Sequence, residues 1–555
     1  MKTRSKKIKT VIIAVFFLAF WITVLWLCQR MLVPKYQTGV VEGSMVEEYY
    51  KDKTKHDVIM VGDCEVYETF STAELWKKYG ITSYIRGSAQ QLTWQSYYLV
   101  EDTLRHETPK VVVYNVYSLM HDEPQSEAYN RMTLDGMQWS KTKYDAVKAS
   151  KTKDEDTLDY VFPLLRFHSR WSKLEDDDFR HMFSKDKVTH NGYYLRADVR
   201  PEGDFPDPMP LADYTLSKNA MDYLERMRKL CEDKGVRLVL VKAPIVYPHW
   251  YDQWDEQVSE YAKKNGLDYI NFIKQRDEIG LDMNNDTYDA GLHLNVFGAE
   301  KMSDHFGKWL VENCGLADHR SDGELSQYYS KLVEDYENEK KSQLEEIKEN
   351  GKLISHIPAE EKETNVLRNF IILAVTAALC LTLVACGSDE SSKAADSTAA
   401  SSSASADSSK GESSKNDEPK KSDGGFKLTM KGTAIAINDD MAPIAEKLGK
   451  PTKYFESESC AYQGLDKVYT YGGVVIRTYP KEKNDFVLNV ELKDDSVSTE
   501  EGISIGDAKD KVKEVYGEPT STTDTSSVYK KGDSNLTFIF GSDGSVSSIV
   551  YGSLE

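Results

Sequence analysis

Two unbroken apolar runs interrupt a chain that elsewhere alternates short apolar stretches with polar segments of helical period. The first, VIIAVFFLAFWITVLWLC from Val11 to Cys28, carries no charge over eighteen residues and is long enough to cross a bilayer at about 1.5 Å per residue. Lys2, Arg4, Lys6, Lys7 and Lys9 precede it, so the positive-inside rule places the amino terminus in the cytoplasm and everything after residue 30 outside. A cleaved signal peptide is the competing reading; the run is long for one, and no small-x-small site follows it. From Val58 to about Asn313 the segments DVIMVGD, SYIRGS, KVVVYNVYS, VRLVLVKAP and LDYINF read as short strands separated by helical stretches. Near-continuous apolar strands of this kind belong to a parallel sheet covered on both faces, which predicts an α/β domain.

Between His121 and Pro210 lies an insertion, with NRMTLDGMQWS and FPLLRFHSRW, that has helical spacing and no strand rhythm. Residues 322 to 350 predict a charged helix with Leu325, Tyr329, Leu332 and Tyr336 on one stripe, expected to be a solvated or weakly coiled arm. The second apolar run, FIILAVTAALCLTLVA from Phe370 to Ala385, stops at Cys386 and opens onto a Ser-rich tract too poor in apolar residues to fold. From about Phe426 strand-like alternation returns, and IAEKLGKPT (Ile444 to Thr452) recurs as VKEVYGEPT (Val512 to Thr520), each copy followed by hairpin-like strands. The expected division is 1–34, basic tip and membrane anchor; 35–318, the α/β domain outside the cell; 319–365, the helical arm; 366–386, the second hydrophobic segment; 387–425, a disordered linker; and 426–555, a tandem-repeat α+β domain.

Composition narrows the functions. With 90 Asp plus Glu against 70 Lys plus Arg, the formal charge of -20 repels phosphate backbones, so no nucleic-acid partner is expected. The seven cysteines contain no CxxC pair, which indicates neither a zinc site nor a disulfide framework, and no cofactor or metal is expected. In an exported protein, isolated thiols such as Cys64 and Cys386 invite a separate explanation.

Cys64 stands in a polar turn directly after the first predicted strand, at the edge where open α/β sheets present ligand-binding groups. A helix starting there stabilises a thiolate; the bland alternative is a buried structural cysteine. Gly87 follows the second strand and Asn115 ends the third, so three strand ends offer a nucleophile with its turn, a bare glycine backbone and a side-chain amide, the parts of an oxyanion hole made by Cys64, Gly87 and Asn115. Downstream, DTYDAGLHLNVFGAEKMSDHF sets His293 near Asp286 and Asp289, a base with a possible orienting acid. Arg166, His168 and Arg170 in the insertion are candidates for a groove that binds an anionic polymer, or else they cap helices and pair with carboxylates. Tyr247, His249, Trp250 and Trp254 after the fourth strand are candidates for a sugar-stacking wall, or else core packing.

Residues 55 to 312 resemble the SGNH/GDSL hydrolase superfamily. Gly62, Asp63 and Cys64 are similar to its first block with Cys in place of Ser, Gly87 to the second-block glycine, Asn115 to the third-block asparagine and His293 to the final histidine. The usual acid three residues before that histidine is Ala290 here, and Asp289 is one residue further away. The resemblance implies a three-layer α/β/α domain and acyl transfer or ester hydrolysis through an acyl-enzyme, with Cys64, His293 and Asp289 as the catalytic set. One amino-terminal anchor before an external SGNH domain also looks like the surface proteins that work beside membrane-bound O-acyltransferases, which implies a cell-surface glycopolymer and such an acyltransferase as partners. The alternative is a non-catalytic scaffold of the same fold that only holds the polymer or the partner.

LVACGSD resembles a bacterial lipobox, which implies lipidation at Cys386; a plain second transmembrane helix is the alternative. A lipoprotein signal after an N-in anchor needs a cleavage between them, so two neighbouring genes read as one frame are a possible origin. The tail resembles the tandem repeats of β-lactamase-inhibitor-like and outer-membrane-assembly lipoproteins, which implies a binding module without catalysis.

Overall fold

The structure is a computed structural model that describes residues 2–34, 44–124, 126–183, 187–354, 424–458, 464–481 and 484–553. The second apolar run, the Cys386 lipidation site, nearly all of the Ser-rich linker and Cys460 lie outside the described residues.

The five predicted strands form one parallel sheet: β1 (Val58–Gly62), β2 (Ser83–Gly87), β3 (Val111–Asn115), β4 (Arg237–Lys242) and β5 (Asp268–Asn271), in the order β2-β1-β3-β4-β5. Alternate residues of a strand point to opposite faces, and here both faces are covered, which is why the strands read as unbroken apolar runs. Val58, Met60, Val113 and Val239 face the helices Thr72–Tyr79, Val296–Cys314 and Gly323–Asn350. Ile59, Val61, Val112 and Leu240 face the helices Thr93–His106, Lys218–Asp233 and Asp252–Asn265. The result is a three-layer α/β/α domain. Its strand order reverses between β1 and β3, so the crevice above their carboxyl ends is the topological switch point, the place where such sheets bind ligands.

The helix Gly323–Asn350 corrects the expected solvated arm. Tyr329 and Tyr336 are fully buried, the Tyr329 ring stacks on Trp76 at 4.3 Å, and Lys340 pairs with Glu300 at 2.7 Å. Gln343 donates to Leu195 O at 3.0 Å and accepts from Ala197 N at 2.9 Å, satisfying a loop that runs past the core. The stripe read from the sequence is the seam by which this helix covers the sheet, so the α/β domain does not end at 318.

The amino-terminal helix Lys2–Leu32 includes a stretch, Val11–Leu32, with an 18-residue window of mean hydropathy 2.8 in which no residue is buried, long and apolar enough to cross a membrane. At the other end, after the hairpin of β6 (Lys427–Met430) and β7 (Thr433–Ala436), β8 (Lys453–Glu458), β9 (Leu465–Tyr471), β10 (Val474–Lys481) and β11 (Asn484–Leu492) form an antiparallel set. So do β12 (Ser521–Thr522), β13 (Ser526–Lys531), β14 (Ser534–Phe540) and β15 (Val546–Ser553). The sets join through β11 and β15 into one eight-stranded sheet ordered β12-β13-β14-β15-β11-β10-β9-β8. Each is preceded by one short helix, Met441–Leu448 and Lys509–Tyr516, ending at Gly449 and Gly517 with φ of +79° and +78°. One core runs through both repeats, so neither closes without the other. The tail touches the α/β domain along residues 203–212 and at Tyr247: Lys493 pairs with Asp207 at 2.6 Å, Ser526 donates to Ala212 O at 2.8 Å, and Phe455 meets Phe205 and Tyr247 edge-on at 5.6 and 5.4 Å.

Candidate active site

The turn that carries Cys64 is made possible by two glycines. Gly62 ends β1 at φ +153°, and a Cβ there would stand 2.5 Å from Val66 Cγ2 and 3.0 Å from Asn115 Cβ. At Gly87 a Cβ would stand 3.2 Å from both Gly62 O and Tyr67 Cδ1. Bare backbone therefore lets β2 and β3 close on the turn, and the chain enters the one-turn helix Cys64–Tyr67 with Asp63 as its N-cap, accepting from Glu65 N at 3.2 Å. Cys64 is half-buried at the head of that turn.

Beneath the turn lies a buried polar cluster. Lys242, at the end of β4, donates to both Glu65 oxygens at 2.8 Å and to the carbonyls of Ala243 and Ile245 at 3.1 and 3.0 Å. Asn115 donates to Asp63 at 3.1 Å and to Glu65 at 3.0 Å, and accepts from Ala243 N at 3.1 Å. Burial, together with the charge of Glu65, pushes the Asp63 carboxyl above its usual range. This cluster ties the ends of β1, β3 and β4 together, and it corrects the expected oxyanion hole. Both amide hydrogens of Asn115 are committed to carboxylates, and Gly87 lies behind the turn as a packing position.

His293 is reached through a second special turn. Ala290 and Gly291 adopt positive φ of 69° and 99°, which curls the loop so that Asp289, four residues before the histidine, meets it. Asp289 accepts from His293 N at 2.8 Å and stands 2.5 Å from His293 Nδ1. Ala290, where the resemblance would have an acid, is the hinge of this arrangement. Tyr288 stacks on the imidazole at 6.0 Å between centroids and is itself covered by the Arg196 guanidinium at 4.3 Å.

A second carboxylate at this histidine escaped sequence reasoning. Glu68, one helical turn after Cys64, is buried with Oε2 3.3 Å from His293 Nδ1; Tyr288 donates to its Oε1 at 2.9 Å, and Oε2 has no hydrogen-bond partner. Burial lifts its carboxyl to about 7, with His293 pulling the value down and Asp289 pushing it up. The four-residue spacing from Cys64 was the available signal, since it puts both side chains on one side of a helical turn.

Cys64 and His293 line one cavity of about 260 Å³ with Asp63, Glu65, Gln90, Gln91, Tyr117, Ser118, His121, Tyr247 and Leu292, and Asp466 of the tail stands at its wall. Burial drives the His121 imidazole down to about 4, so it stands in this wall as a neutral ring at pH 7. Gln90 sits at φ +52°, and its amide oxygen is buried without a partner. Among the described residues no group of three or more His, Cys, Asp or Glu is placed to hold a metal ion.

The remaining candidates fall elsewhere. Arg166 pairs with Glu127 at 2.7 Å, Arg170 pairs with Asp178 at 2.9 Å and donates to Leu32 O at 2.9 Å, and the His168 ring meets Leu165 O at 2.9 Å. These three belong to the junction with the amino-terminal helix, where carboxylates and carbonyls occupy them, and not to a polymer groove at the cavity. His249 donates Nε2–H to Pro206 O at 2.7 Å and lines a neighbouring hollow of about 240 Å³ with Tyr247, Trp254 and Arg477; burial holds its pKa below the usual value. Trp250 lies under Tyr117 at 6.5 Å between ring centroids and stays behind the cavity wall. Asp286 accepts from Lys301 at 2.6 Å and from Asp282 N at 2.6 Å, a structural brace for the loop.

No protein-family model and no curated protein matches the chain. Among solved structures it is similar to a putative acylhydrolase from Bacteroides fragilis NCTC 9343, at 10% identity over 48% of this chain and 95% of that one, with a TM-score of 0.25. It is likewise similar to a GDSL-like lipase from Bacteroides thetaiotaomicron VPI-5482, at 11% identity over 49% and 99% of the two chains, with a TM-score of 0.24. A third likeness, to an extracellular protein containing a SCP domain from Bacillus anthracis str. Ames, covers 26% of this chain and 50% of that one at 14% identity, with a TM-score of 0.15. At these identities and scores the likenesses carry no residue roles to this chain.

Proposed function

We propose that the chain is a membrane-anchored esterase or O-acyltransferase that acts on an acylated cell-surface glycopolymer through a thioester on Cys64. The observation that carries this reading is that a thiol at the switch point and an imidazole braced by a carboxylate line the same cavity. His293 takes the thiol proton, the sulfur adds to the ester carbonyl, and the alcohol leaves with the proton from the imidazolium. Water or an acceptor hydroxyl then attacks the thioester with His293 as base, which releases the acid or completes the transfer. Asp289 fixes the imidazole tautomer and stabilises the imidazolium. With Asn115 engaged, the amide of Gln90 supplies the oxyanion donor, since a half-turn of that amide exchanges its oxygen and nitrogen. The basic residues before the first apolar run set the amino terminus inside and the α/β domain outside.

A second reading, a scaffold that holds the polymer without turnover, draws on one observation: Gly87 and Asn115 are withdrawn from the cavity. Turnover of a chromogenic acetyl ester by the purified full chain, lost in Cys64→Ala, separates the two; equal turnover by both proteins, or none by either, rules for the scaffold. A domain that protease reaches on intact cells supports the outside orientation, and one reached only after lysis contradicts it.

A further inference from the structure

Short helices in a globular domain normally turn their apolar face to the core. Residues 157–167 of the insertion do the opposite. Two short helices, Thr157–Val161 and Leu164–Phe167, meet at Phe162 and Pro163, and around this joint Leu158 is 53%, Phe162 51% and Leu165 56% exposed, with Val161 exposed beside them. Trp171, at 71%, and Phe183, at 65%, are exposed in the same way. Six large apolar side chains left exposed between residues 158 and 183 are more than a soluble surface normally carries without a partner.

The amino-terminal helix says what that partner is. It touches the helices Leu164–Phe167 and Asp176–Arg180 and the turn His168–Ser172. Arg30 donates to Met182 O at 2.9 Å and Arg170 to Leu32 O at 2.9 Å, so polar bonds fasten the insertion to the last turn of the apolar helix. The Phe183 ring lies 6.0 Å from that of Trp26. Trp26 stands inside the apolar stretch, six residues before the helix end at Leu32, or about 9 Å along the axis. Phe183 is therefore level with a residue of the apolar run itself, two residues inside its end at Cys28, at the boundary where interfacial helices bury their apolar faces.

We infer that residues 157–183 form a membrane foot, with Leu158, Val161, Phe162, Leu165, Trp171 and Phe183 seated in the headgroup and acyl-chain boundary of the bilayer that the amino-terminal helix crosses. This rests on the anchor reading of that helix and is independent of any chemistry at Cys64. The foot gives the α/β domain a second attachment, so that it cannot swing freely about one helix end. Lys173, exposed on the same insertion, would meet anionic headgroups.

The test uses the full chain in vesicles of phosphatidylethanolamine and phosphatidylglycerol, with a benzophenone amino acid placed singly at Phe17, Phe162, Leu165, Trp171, Phe183 or Val311. Each is an exposed side chain, and Val311 lies on the helix covering the opposite face of the sheet. Irradiation should give lipid adducts at 17, 162, 165, 171 and 183 and none at 311. A lipid adduct at 17 without any at 162, 165, 171 and 183 overturns the foot and leaves the anchor standing. Adducts at those four positions with a second copy of the chain replace the bilayer by self-association and overturn it equally. No lipid adduct at 17 overturns the anchor, and the foot with it.

Discussion

The two polar clusters that share the Cys64 turn differ in how completely their groups are paired. Below the turn, Lys242, Glu65, Asn115 and Asp63 bond to one another and to three backbone groups, and every donor of Lys242 and Asn115 that the geometry presents is used. Above it, His293 faces two carboxylates at one nitrogen, and the buried Glu68 has an oxygen with no hydrogen-bond partner. A closed set of bonds fixes geometry, whereas a group with spare capacity in a cavity is one that can gain or lose a proton during a reaction. In the proposed reaction the lower cluster is therefore architecture and the upper one chemistry.

Variants that break this division differ in what they change. Cys64→Ala should lower ester turnover by several orders of magnitude with little change in melting temperature, because it removes the proposed nucleophile from a half-buried position and leaves the lower cluster intact. Lys242→Met should do the reverse in kind. It leaves Glu65 buried without its cation, a loss of about 3 to 5 kcal/mol in a denaturant titration, and adding Glu65→Gln should restore part of that loss. A Lys242→Met protein of unchanged stability would show that the lower cluster is not the brace described. Asp289→Asn should cost about a hundred-fold or more in kcat at unchanged fold, since the imidazole loses both its tautomer control and its counter-charge.

Glu68→Gln is the smallest change and the most informative about the upper cluster. Burial raises the folded-state pKa of Glu68 from its model-peptide range to about 7. In the window between that unfolded value and about 7, the unfolded chain has lost this proton while the native chain retains it, so Glu68 costs stability progressively as pH rises through the window. The Gln variant should therefore gain stability relative to the parent at pH 8 and not at pH 4. Removing this negative charge from beside Nδ1 should also move the pH–rate limb governed by His293 to lower pH. A Gln variant with the parent's limb and the parent's pH–stability profile would return Glu68 to a passive role.

The parallel sheet was legible because strands buried on both faces leave unbroken apolar runs, and the five quoted segments are β1 to β5. The repeat in the tail was legible as a repeated helix end, G-K-P-T and G-E-P-T, and the shared sheet follows from two units each too small to close alone. Side-chain direction was not legible. Asn115 ends the strand the pattern predicts, but Glu65 and Lys242, distant in sequence, decide where its amide points. The stripe on Gly323–Asn350 was visible, while its cover, Trp76 and the β2 edge, was not. Arg166 and Arg170 read as an anion site because charge alone does not reveal that Glu127 and Asp178 already hold them.

The central claim, that Cys64 carries the acyl group, is tested most directly by digesting the full chain after acid quench from a chromogenic acetyl ester and weighing the peptide that contains Cys64. The account predicts an acetyl adduct on that peptide, labile to hydroxylamine and absent from the His293→Ala variant. Steady turnover with no adduct there, or an adduct that persists when Cys64 is replaced by Ala, would contradict it.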